Sequence, residues 1–213
     1  MAINIMEFKN PNGTLPLRAA RGHFATSHSH INYYVDLTLT RYQLNETREA
    51  ALQLANEYKA STIIDTILCL DGTEVLGACM ASELTRSIRT NVNANRNICV
   101  ITPDHGSGSQ LIFRDNTSPM IVGKNVLILG SSVTTGYTVM GALEAIRYYG
   151  GTTVGICALF SCIDTYEGFP VYSIFNTKNI LSDYQSRPSN DCPLCKAGIK
   201  LDAMVNAHGI SMF

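Results

Sequence analysis

The chain has 213 residues, 46% of them hydrophobic, and a formal net charge of -1. This size and composition predict one domain with a complete apolar core, and the scattered lysines and arginines argue against binding to a nucleic-acid backbone. No apolar run reaches the roughly 20 residues of a membrane span and the first ten residues lack a signal-peptide pattern, so the sequence predicts a cytosolic protein.

Predicted helices and strands alternate along most of the chain. In chain order they are a helix over 46–60, a strand over 61–70, a helix over 73–88, a strand over 97–102, a strand over 126–129 followed by a helix, and strands over 152–160 and 171–175. The first helix is amphipathic, with Ala51, Leu54, Ala55 and Tyr58 on one face. This alternation predicts a mostly parallel sheet with right-handed crossovers and a ligand at the carboxyl ends of its strands. The polar loop over 104–119 is long enough to suggest a functional or mobile segment.

The segment 125–151 is the most informative part of the sequence. Four aliphatic residues from Val126 to Leu129 predict a strand buried on both faces. Small and hydroxyl residues follow and lead into a helix: Ser131, Ser132, Thr134, Thr135, Gly136 and Thr138. Unpaired amides and the helix dipole favour an anion at such a helix N-terminus, although ordinary N-cap preferences select the same residue types. No Gly-Lys-Ser/Thr follows, so this is not the ATPase loop.

This order of residues resembles the ribose-phosphate loop of type I phosphoribosyltransferases. In that family the loop binds the 5-phosphate of phosphoribosyl pyrophosphate (PRPP), with two adjacent acidic residues where this chain has Gly130 and Ser131. The resemblance implies an α/β fold with a mostly parallel central sheet flanked by helices and a small N-terminal hood region. It also implies Mg²⁺ as cofactor, a homodimer, and the six residues from Ser131 to Thr138 named above as the PRPP site.

Two further segments resemble orotate phosphoribosyltransferases. Gly22-His23-Phe24 and the Asn-Tyr-Tyr run after it imply a base pocket containing Phe24, Tyr33 and Tyr34, with core packing as the alternative interpretation. Asp71, Gly72 and Thr73 fall where the family has its pyrophosphate loop. The acidic side chains of Asp71 and Glu74 would repel pyrophosphate unless a cation lies between them.

The loop over 104–119 corresponds to the family's mobile hood, which reaches across a dimer interface to the pyrophosphate. His105 and Arg114 are the catalytic candidates there, and the alternative is that both are simply solvated.

The tail from Asp191 to Gly198 resembles the CPxCxxG tail of one bacterial branch of orotate phosphoribosyltransferases. The seven cysteines of the chain are an odd number, which argues against a disulfide framework. Cys192 and Cys195 have the spacing of half a zinc site, but the chain has no second such pair. A reduced pair and a site completed by another subunit are the alternatives, and His23, His28 and His30 are interpreted as a loop and strand segment rather than as ligands.

The sequence therefore predicts a single domain over 1–213, with a hood and base-pocket region over 1–45, an α/β core over 46–180 and a tail over 181–213. The first functional hypothesis is an orotate-like phosphoribosyltransferase, a glycosyltransferase of pyrimidine nucleotide synthesis that binds PRPP or a nucleoside monophosphate together with a nucleobase. The second is an inactive nucleotide- or sugar-phosphate-binding regulator on the same fold. A third is an enzyme for another phosphorylated ligand, with Asp71 or Glu74 supplying the missing carboxylate.

Overall fold

The computed structural model describes residues 3–11, 13–106 and 110–213. Its elements begin with three strands, two helices, a strand and a helix: β1 (Met6–Phe8), β2 (Leu17–Ala25), β3 (His30–Asp36), α1 (Thr38–Tyr42), α2 (Leu44–Tyr58), β4 (Thr66–Cys69) and α3 (Glu74–Leu84). The middle of the chain holds β5 (Cys99–Ile101), β6 (Asp104–His105), β7 (Leu111–Ile112), β8 (Asn125–Val133) and α4 (Tyr137–Tyr148). The last elements are β9 (Thr152–Ser161), β10 (Thr165–Tyr166), β11 (Phe169–Asn176), β12 (Ser186–Arg187), α5 (Pro193–Lys196), β13 (Ala203–Asn206) and β14 (Gly209–Met212).

The central sheet has the strand order β10-β11-β9-β8-β4-β5 and is parallel except for the edge pair β10 and β11. Successive residues of β8 point to opposite faces, so Leu127 and Leu129 join a core with α2 and α3 while Val126 and Ile128 join a second core with α4. The predicted strand buried on both faces is therefore confirmed, as is the α/β class with helices on both sides of a parallel sheet.

A second sheet joins the two ends of the chain. Its order is β12-β3-β2-β13-β14, with β1 paired to β2. Strand β13 runs parallel to β2, with Ala203 opposite Phe24. The N-terminal strands and the C-terminal tail thus share one sheet, although almost 180 residues separate them in the sequence.

The structure corrects several predicted elements; the strand predicted over 61–70 is only the four residues of β4. Strand β8 continues to Val133 because Ser132 and Val133 still pair with β9, so Ser131 and Ser132 belong to the strand rather than to the turn. Helix α3 ends at Leu84 instead of continuing to residue 88. The polar loop contains the hairpin β6–β7, while its residues 107–109 lie outside the described part.

None of the described helices is both long enough and apolar enough to cross a membrane.

Candidate functional site

A cavity of about 420 Å³ opens between the two sheets. Its walls come from the turn between β2 and β3, from β3 and α1, from the turns after β4 and β8, from β6 and from the β13–β14 turn. Because β4 and β8 are parallel, the turns that follow them lie at the same edge of the central sheet. This is the edge at which open α/β sheets bind ligands.

The turn between β8 and α4 is built for close approach of an anion. Gly136 has φ +84° and precedes the first helical residue, Tyr137. No side chain caps α4, so the amides of its first turn have no partner within the helix or from a capping residue. The Tyr166 ring packs so tightly against Gly136 that a Cβ there would lie 2.2 Å from the Tyr166 Cε2. Glycine is therefore required by both the backbone and the packing.

Hydroxyl groups surround this helix N-terminus. The predicted PRPP-site residues that line the cavity are Ser131, Ser132, Thr134, Thr135 and Thr138. Gly136 lies behind them and shapes the turn without lining the cavity.

The turn after β4 brings one carboxylate to the cavity. Among the described residues that line it, Asp71 is the only acidic one. Burial raises the pKa of Asp71 above its ordinary value, while the neighbouring Arg41, His208 and His105 act in the opposite direction. Glu74 is exposed and does not line the cavity. Of the two acidic residues singled out in the sequence, only Asp71 is positioned to act on a ligand there.

The other two residues of the predicted pyrophosphate loop have different surroundings. Thr73 is fully buried, and its hydroxyl donates to the carbonyl oxygens of Leu70 (2.9 Å) and Leu129 (3.0 Å), which ties the turn to the sheet. Gly72 has φ +75° and lies against the Tyr42 hydroxyl. Neither residue lines the cavity.

Arg41 is a site residue that the sequence analysis did not find. It lies on α1, is only 3% exposed and lines the cavity. Its Nη1 donates to the backbone oxygen of Asp71 over 2.7 Å, and its guanidinium lies 4.9 Å from the centre of the Tyr42 ring. Its Nε is the only buried side-chain nitrogen or oxygen in the described residues without a hydrogen-bond partner. A buried cation with an unused donor indicates a binding position for an anionic group.

Two of the three residues of the predicted base pocket line the cavity in the structure, and the third does not. Tyr33 and Tyr34 line the cavity, and the Tyr33 hydroxyl donates to the Asp183 carboxylate over 3.0 Å. Phe24 does not line the cavity; it is 1% exposed and packs in an apolar cluster with Tyr34 and Ile31. The surroundings of Phe24 therefore fit the core-packing interpretation.

Only one of the two catalytic candidates lines the cavity. His105 lies on β6 and lines the cavity. The Arg114 side chain is 68% exposed, does not line the cavity of its own chain, and pairs through Nε with the Asp104 carboxylate at 2.5 Å. Only His105 therefore reaches the site within one chain.

Two further cavity residues carry no local signal in the sequence. His28, at the tip of the β2–β3 hairpin, stacks on Tyr137 of α4 with ring centres 5.1 Å apart. His208 enters from the β13–β14 turn. His208 reaches the cavity through the long-range pairing of β13 with β2, and His28 does so through the packing of the β2–β3 hairpin against α4. Residue spacing reveals neither. Cys192 and Cys195 lie outside the cavity, beside His23 and His30.

No protein-family model matches the chain. Over 180 residues the chain is 26% identical to an orotate phosphoribosyltransferase of Pelotomaculum thermopropionicum, an alignment covering 84% of this chain and 85% of that relative. A 59-residue segment is 39% identical to the transcriptional regulator GfcR of Methanocorpusculum labreanum, covering 27% of this chain and 30% of the regulator. Among solved structures, the orotate phosphoribosyltransferase of Aeropyrum pernix matches with a TM-score of 0.54 at 17% identity, over 78% of this chain and 91% of that one.

The solved structure supports the fold, and the longer sequence alignment supports descent from a common ancestor. Together they show that the chain is related to the type I phosphoribosyltransferases and is orotate phosphoribosyltransferase-like.

Proposed function

We propose that the protein binds PRPP or a nucleoside monophosphate and transfers the phosphoribosyl group between pyrophosphate and an orotate-like nucleobase. The observation that carries this proposal is the uncapped N-terminus of α4, which opens with Thr134, Thr135 and Thr138 onto the cavity that also contains Tyr33 and Tyr34. An anion site and an aromatic wall in one cavity suit a ligand with a phosphate at one end and a planar base at the other.

The chain's own residues supply binding and electrostatics in this reaction. In the forward direction a base nitrogen forms a bond to the anomeric carbon as the bond to pyrophosphate breaks, so positive charge develops on the ribose and negative charge on the leaving group. The turn after β8 holds the 5-phosphate, while Arg41 and His105 face the departing pyrophosphate. No covalent enzyme intermediate is required.

The site has oxygen ligands that suit Mg²⁺, which is usually bound through one or two carboxylates together with phosphates. The Asp71 carboxylate and the Ser131 hydroxyl line the cavity and would hold the ion. When bound with pyrophosphate, Mg²⁺ neutralises charge on the leaving group. This arrangement would also relieve the repulsion between Asp71 and pyrophosphate. A homodimer and a cytosolic location complete the proposal.

A second candidate is a regulator that binds the same ligands without turnover. Gly130 and Ser131 favour it, since the family's acidic pair is missing from a cavity that otherwise keeps its phosphate-binding turn. The relative that is a transcriptional regulator also supports it, because a segment of this chain resembles a protein named for regulation. The third hypothesis now rests on Asp71 alone, since Glu74 is exposed away from the cavity.

The first experiment is phosphorus NMR of the purified protein with PRPP and Mg²⁺, first with orotate and then with other bases. Base-dependent release of pyrophosphate supports the transferase. Broadening of the PRPP signals without turnover supports the regulator. If neither occurs, PRPP is not the ligand.

Replacing Thr135 by tryptophan tests the phosphate site, because Thr135 lines the cavity beside the N-terminus of α4. We expect PRPP affinity to fall at least tenfold, since the indole would fill the space of the phosphate. The matched control is Thr152→Trp, at the exposed first position of β9. Unchanged affinity in Thr135→Trp would contradict the assignment.

Introducing the family's acidic pair at positions 130 and 131 distinguishes the transferase from the regulator. A Cβ at Gly130 would lie 3.8 Å from the Val133 Cγ2 and 4.0 Å from the Cys157 oxygen, so a side chain has room to begin there. The double variant Gly130→Asp, Ser131→Asp gains or increases turnover if the protein is a weakened transferase. Retained PRPP binding without any turnover favours the regulator.

A further inference from the structure

Four side chains with metal-binding atoms converge outside the cavity. His23 lies on β2, His30 begins β3, and Cys192 and Cys195 flank the start of α5. One donor atom from each of these residues lies within 4.8 Å of all the others. No other group of three or more histidine, cysteine or acidic residues in the described ranges has a comparable arrangement.

Four of the six distances between the donor atoms match those around a single tetrahedral ion, and all six are within 4.8 Å. With Zn–N near 2.05 Å and Zn–S near 2.3 Å, tetrahedral angles separate two nitrogens by about 3.3 Å and a nitrogen from a sulfur by about 3.6 Å. The His23 Nε2 lies 3.2 Å from the His30 Nδ1 and 3.4 and 3.6 Å from the sulfurs of Cys192 and Cys195. The His30 Nδ1 lies 3.2 Å from the Cys195 sulfur. The donors are thus already spaced for one ion.

The groups around His23 fix it in a ligating form. Its Nδ1 lies 2.9 Å from the Ile199 carbonyl oxygen, which can only accept, so the proton is on Nδ1 and the Nε2 lone pair points to the cluster. The Asp202 carboxylate accepts the His23 backbone N–H over 2.8 Å, and the Asp202 N–H donates to the His23 oxygen over 2.8 Å. The tail therefore holds His23 in place through hydrogen bonds to both its ring and its backbone.

The cluster is partly shielded from water. His23 is 1% exposed and Cys192 is 3% exposed, while His30 and Cys195 lie nearer the surface. Both cysteines are free thiols in the structure. Two soft sulfur ligands and two imidazoles are the ligand set of structural zinc sites, whereas Mg²⁺ and Ca²⁺ require oxygen ligands.

We propose that His23, His30, Cys192 and Cys195 bind one zinc ion. Binding releases the two thiol protons to solvent, and the two thiolates neutralise the charge of Zn²⁺. Four protein ligands leave no open position for water or substrate, so the site is structural rather than catalytic. The ligand pair that the sequence lacks comes from the N-terminal hairpin, so the site is completed within one chain. The histidines form the predicted loop and strand segment and also serve as ligands.

The position of this zinc site links it to the cavity. Directly after Asp202, β13 pairs with β2, and the turn that follows brings Asn206 and His208 to the cavity wall. A metal that joins α5 to the β2–β3 hairpin would hold this part of the wall in place. We therefore expect metal removal to weaken PRPP or phosphate binding even though no zinc ligand lines the cavity.

The first test is the metal content of the full-length protein, purified without a metal-affinity tag from medium supplemented with zinc. We expect about one zinc per chain by mass spectrometry of the elements. Reduced apoprotein should bind Co²⁺ with the visible and thiolate charge-transfer absorption of a tetrahedral sulfur-ligated ion. Wild-type protein that is folded and reduced but binds neither metal would overturn the proposal.

Variants assign the ligands. Cys195→Ser and His30→Ala should each lower zinc affinity at least tenfold in a competition with a chromophoric chelator. The matched controls are Cys79→Ser, a thiol on α3 outside the cluster, and His28→Ala, which lies between the two histidine ligands in sequence. Equal losses in the controls would contradict the assignment.

The competing outcome is a Cys192–Cys195 disulfide. Thiol counting under denaturing conditions distinguishes the two, because a zinc site keeps both thiols titratable after chelation. A wild-type protein that contains the disulfide when isolated, and that takes up no zinc after reduction, would also overturn the proposal. These outcomes are independent of the phosphoribosyl transfer assay.

Discussion

At the scale of single residues, Gly136 combines two constraints in one position. Its φ of +84° disfavours any side chain, and the Tyr166 ring occupies the place of a Cβ. We expect Gly136→Ala to lower the free energy of unfolding by more than the roughly 1–3 kcal/mol of the backbone effect alone, and to weaken phosphate binding at least tenfold. Thermal denaturation and phosphate titration measure the two effects.

A matched control lies at the other end of α4. Gly150 has φ +74° but nothing within 4 Å of its Cβ position. Gly150→Ala should therefore show the backbone effect alone and keep phosphate affinity. If both variants lose the same stability and neither loses affinity, the close approach of Tyr166 has no role in shaping the site.

Arg41 gives the second prediction at this scale. Replacing it by methionine removes a buried guanidinium whose Nε has no partner. Because a hydrogen bond to a charged group contributes about 1.5–3 kcal/mol, pyrophosphate affinity should fall about tenfold or more. The melting temperature should fall as well, because the Asp71 backbone oxygen loses the Arg41 donor. Calorimetric titration measures the affinity. Arg48→Met, on the exposed face of α2, should change neither, and an unchanged affinity in Arg41→Met would remove Arg41 from the site.

Residues that share a local pattern were predictable, and residues brought in by tertiary structure were not. The hydroxyls after Leu129 were found because strand, turn and helix follow one another within a few residues. Arg41 lies in a five-residue helix with no motif, and only the fold shows that it is buried beside Asp71. The resemblance implies that Phe24 belongs to the base pocket, yet β2 has a register shift between Arg21 and Phe24, and the Phe24 ring packs in the core.

At the scale of elements, the turn between β4 and α3 predicts a pH dependence. Burial raises the pKa of Asp71, so this residue favours the folded state below its ordinary pKa near 3.9, and that contribution is lost as pH rises through the folded value. Asp71→Asn should therefore melt at a higher temperature than the wild type at pH 7, and the difference should shrink as pH falls. Asparagine also tolerates the φ of +57° found there.

Asp65, just before β4, provides a control of opposite sign. Burial acts to raise its pKa, but the Asn125 N–H and the Arg96 guanidinium outweigh burial and hold the pKa below its ordinary value. Asp65→Asn should lower the melting temperature at pH 7, and this loss should disappear as the wild-type carboxylate is protonated in acid. The melting temperatures of both variants and the wild type are measured over the same pH series. If the two variants differed from the wild type with the same sign, this account would be contradicted.

The sequence identified the parallel strands of the central sheet because each carries its own local pattern, but it missed the two-residue edge strand β10. The β8–α4 unit and the amphipathic face of α2 are confirmed in this way. The hairpin β6–β7 was missed because its strands have two residues each, too few for any alternation to appear. Boundaries such as the end of β8 depend on pairing with β9, which no single segment encodes.

At the scale of the whole molecule, pairing between distant segments builds both sites. The β13–β14 turn supplies His208 to the cavity, and the tail supplies two cysteines to the histidines of the N-terminal hairpin. Neither arrangement follows from local sequence, since the β13–β14 unit and the tail each lie more than a hundred residues from the N-terminal hairpin that they contact. This is why the CPxC segment predicted only half of a metal site.

The exposed position of Arg114 leads to a prediction about the dimer. Arg114 does not line the cavity of its own chain, whereas His105 does. If Arg114 serves the cavity of the partner subunit, Arg114→Ala and Thr135→Trp are each defective alone but complement each other when mixed. Random reassortment makes half of the dimers mixed, each with one intact site, so about a quarter of the wild-type sites should return.

The contrast with His105 makes this experiment specific. His105→Ala mixed with Thr135→Trp should restore nothing, because both changes fall on residues that line the cavity of their own chain. Light scattering should first give about twice the 23.2 kDa of one chain for each sample. Counting pyrophosphate-binding sites replaces the turnover assay if the protein is a regulator. Failure of both mixtures would place the action of Arg114 within its own chain or remove it from the site, whereas restoration by both would mean that His105 also acts on the partner subunit.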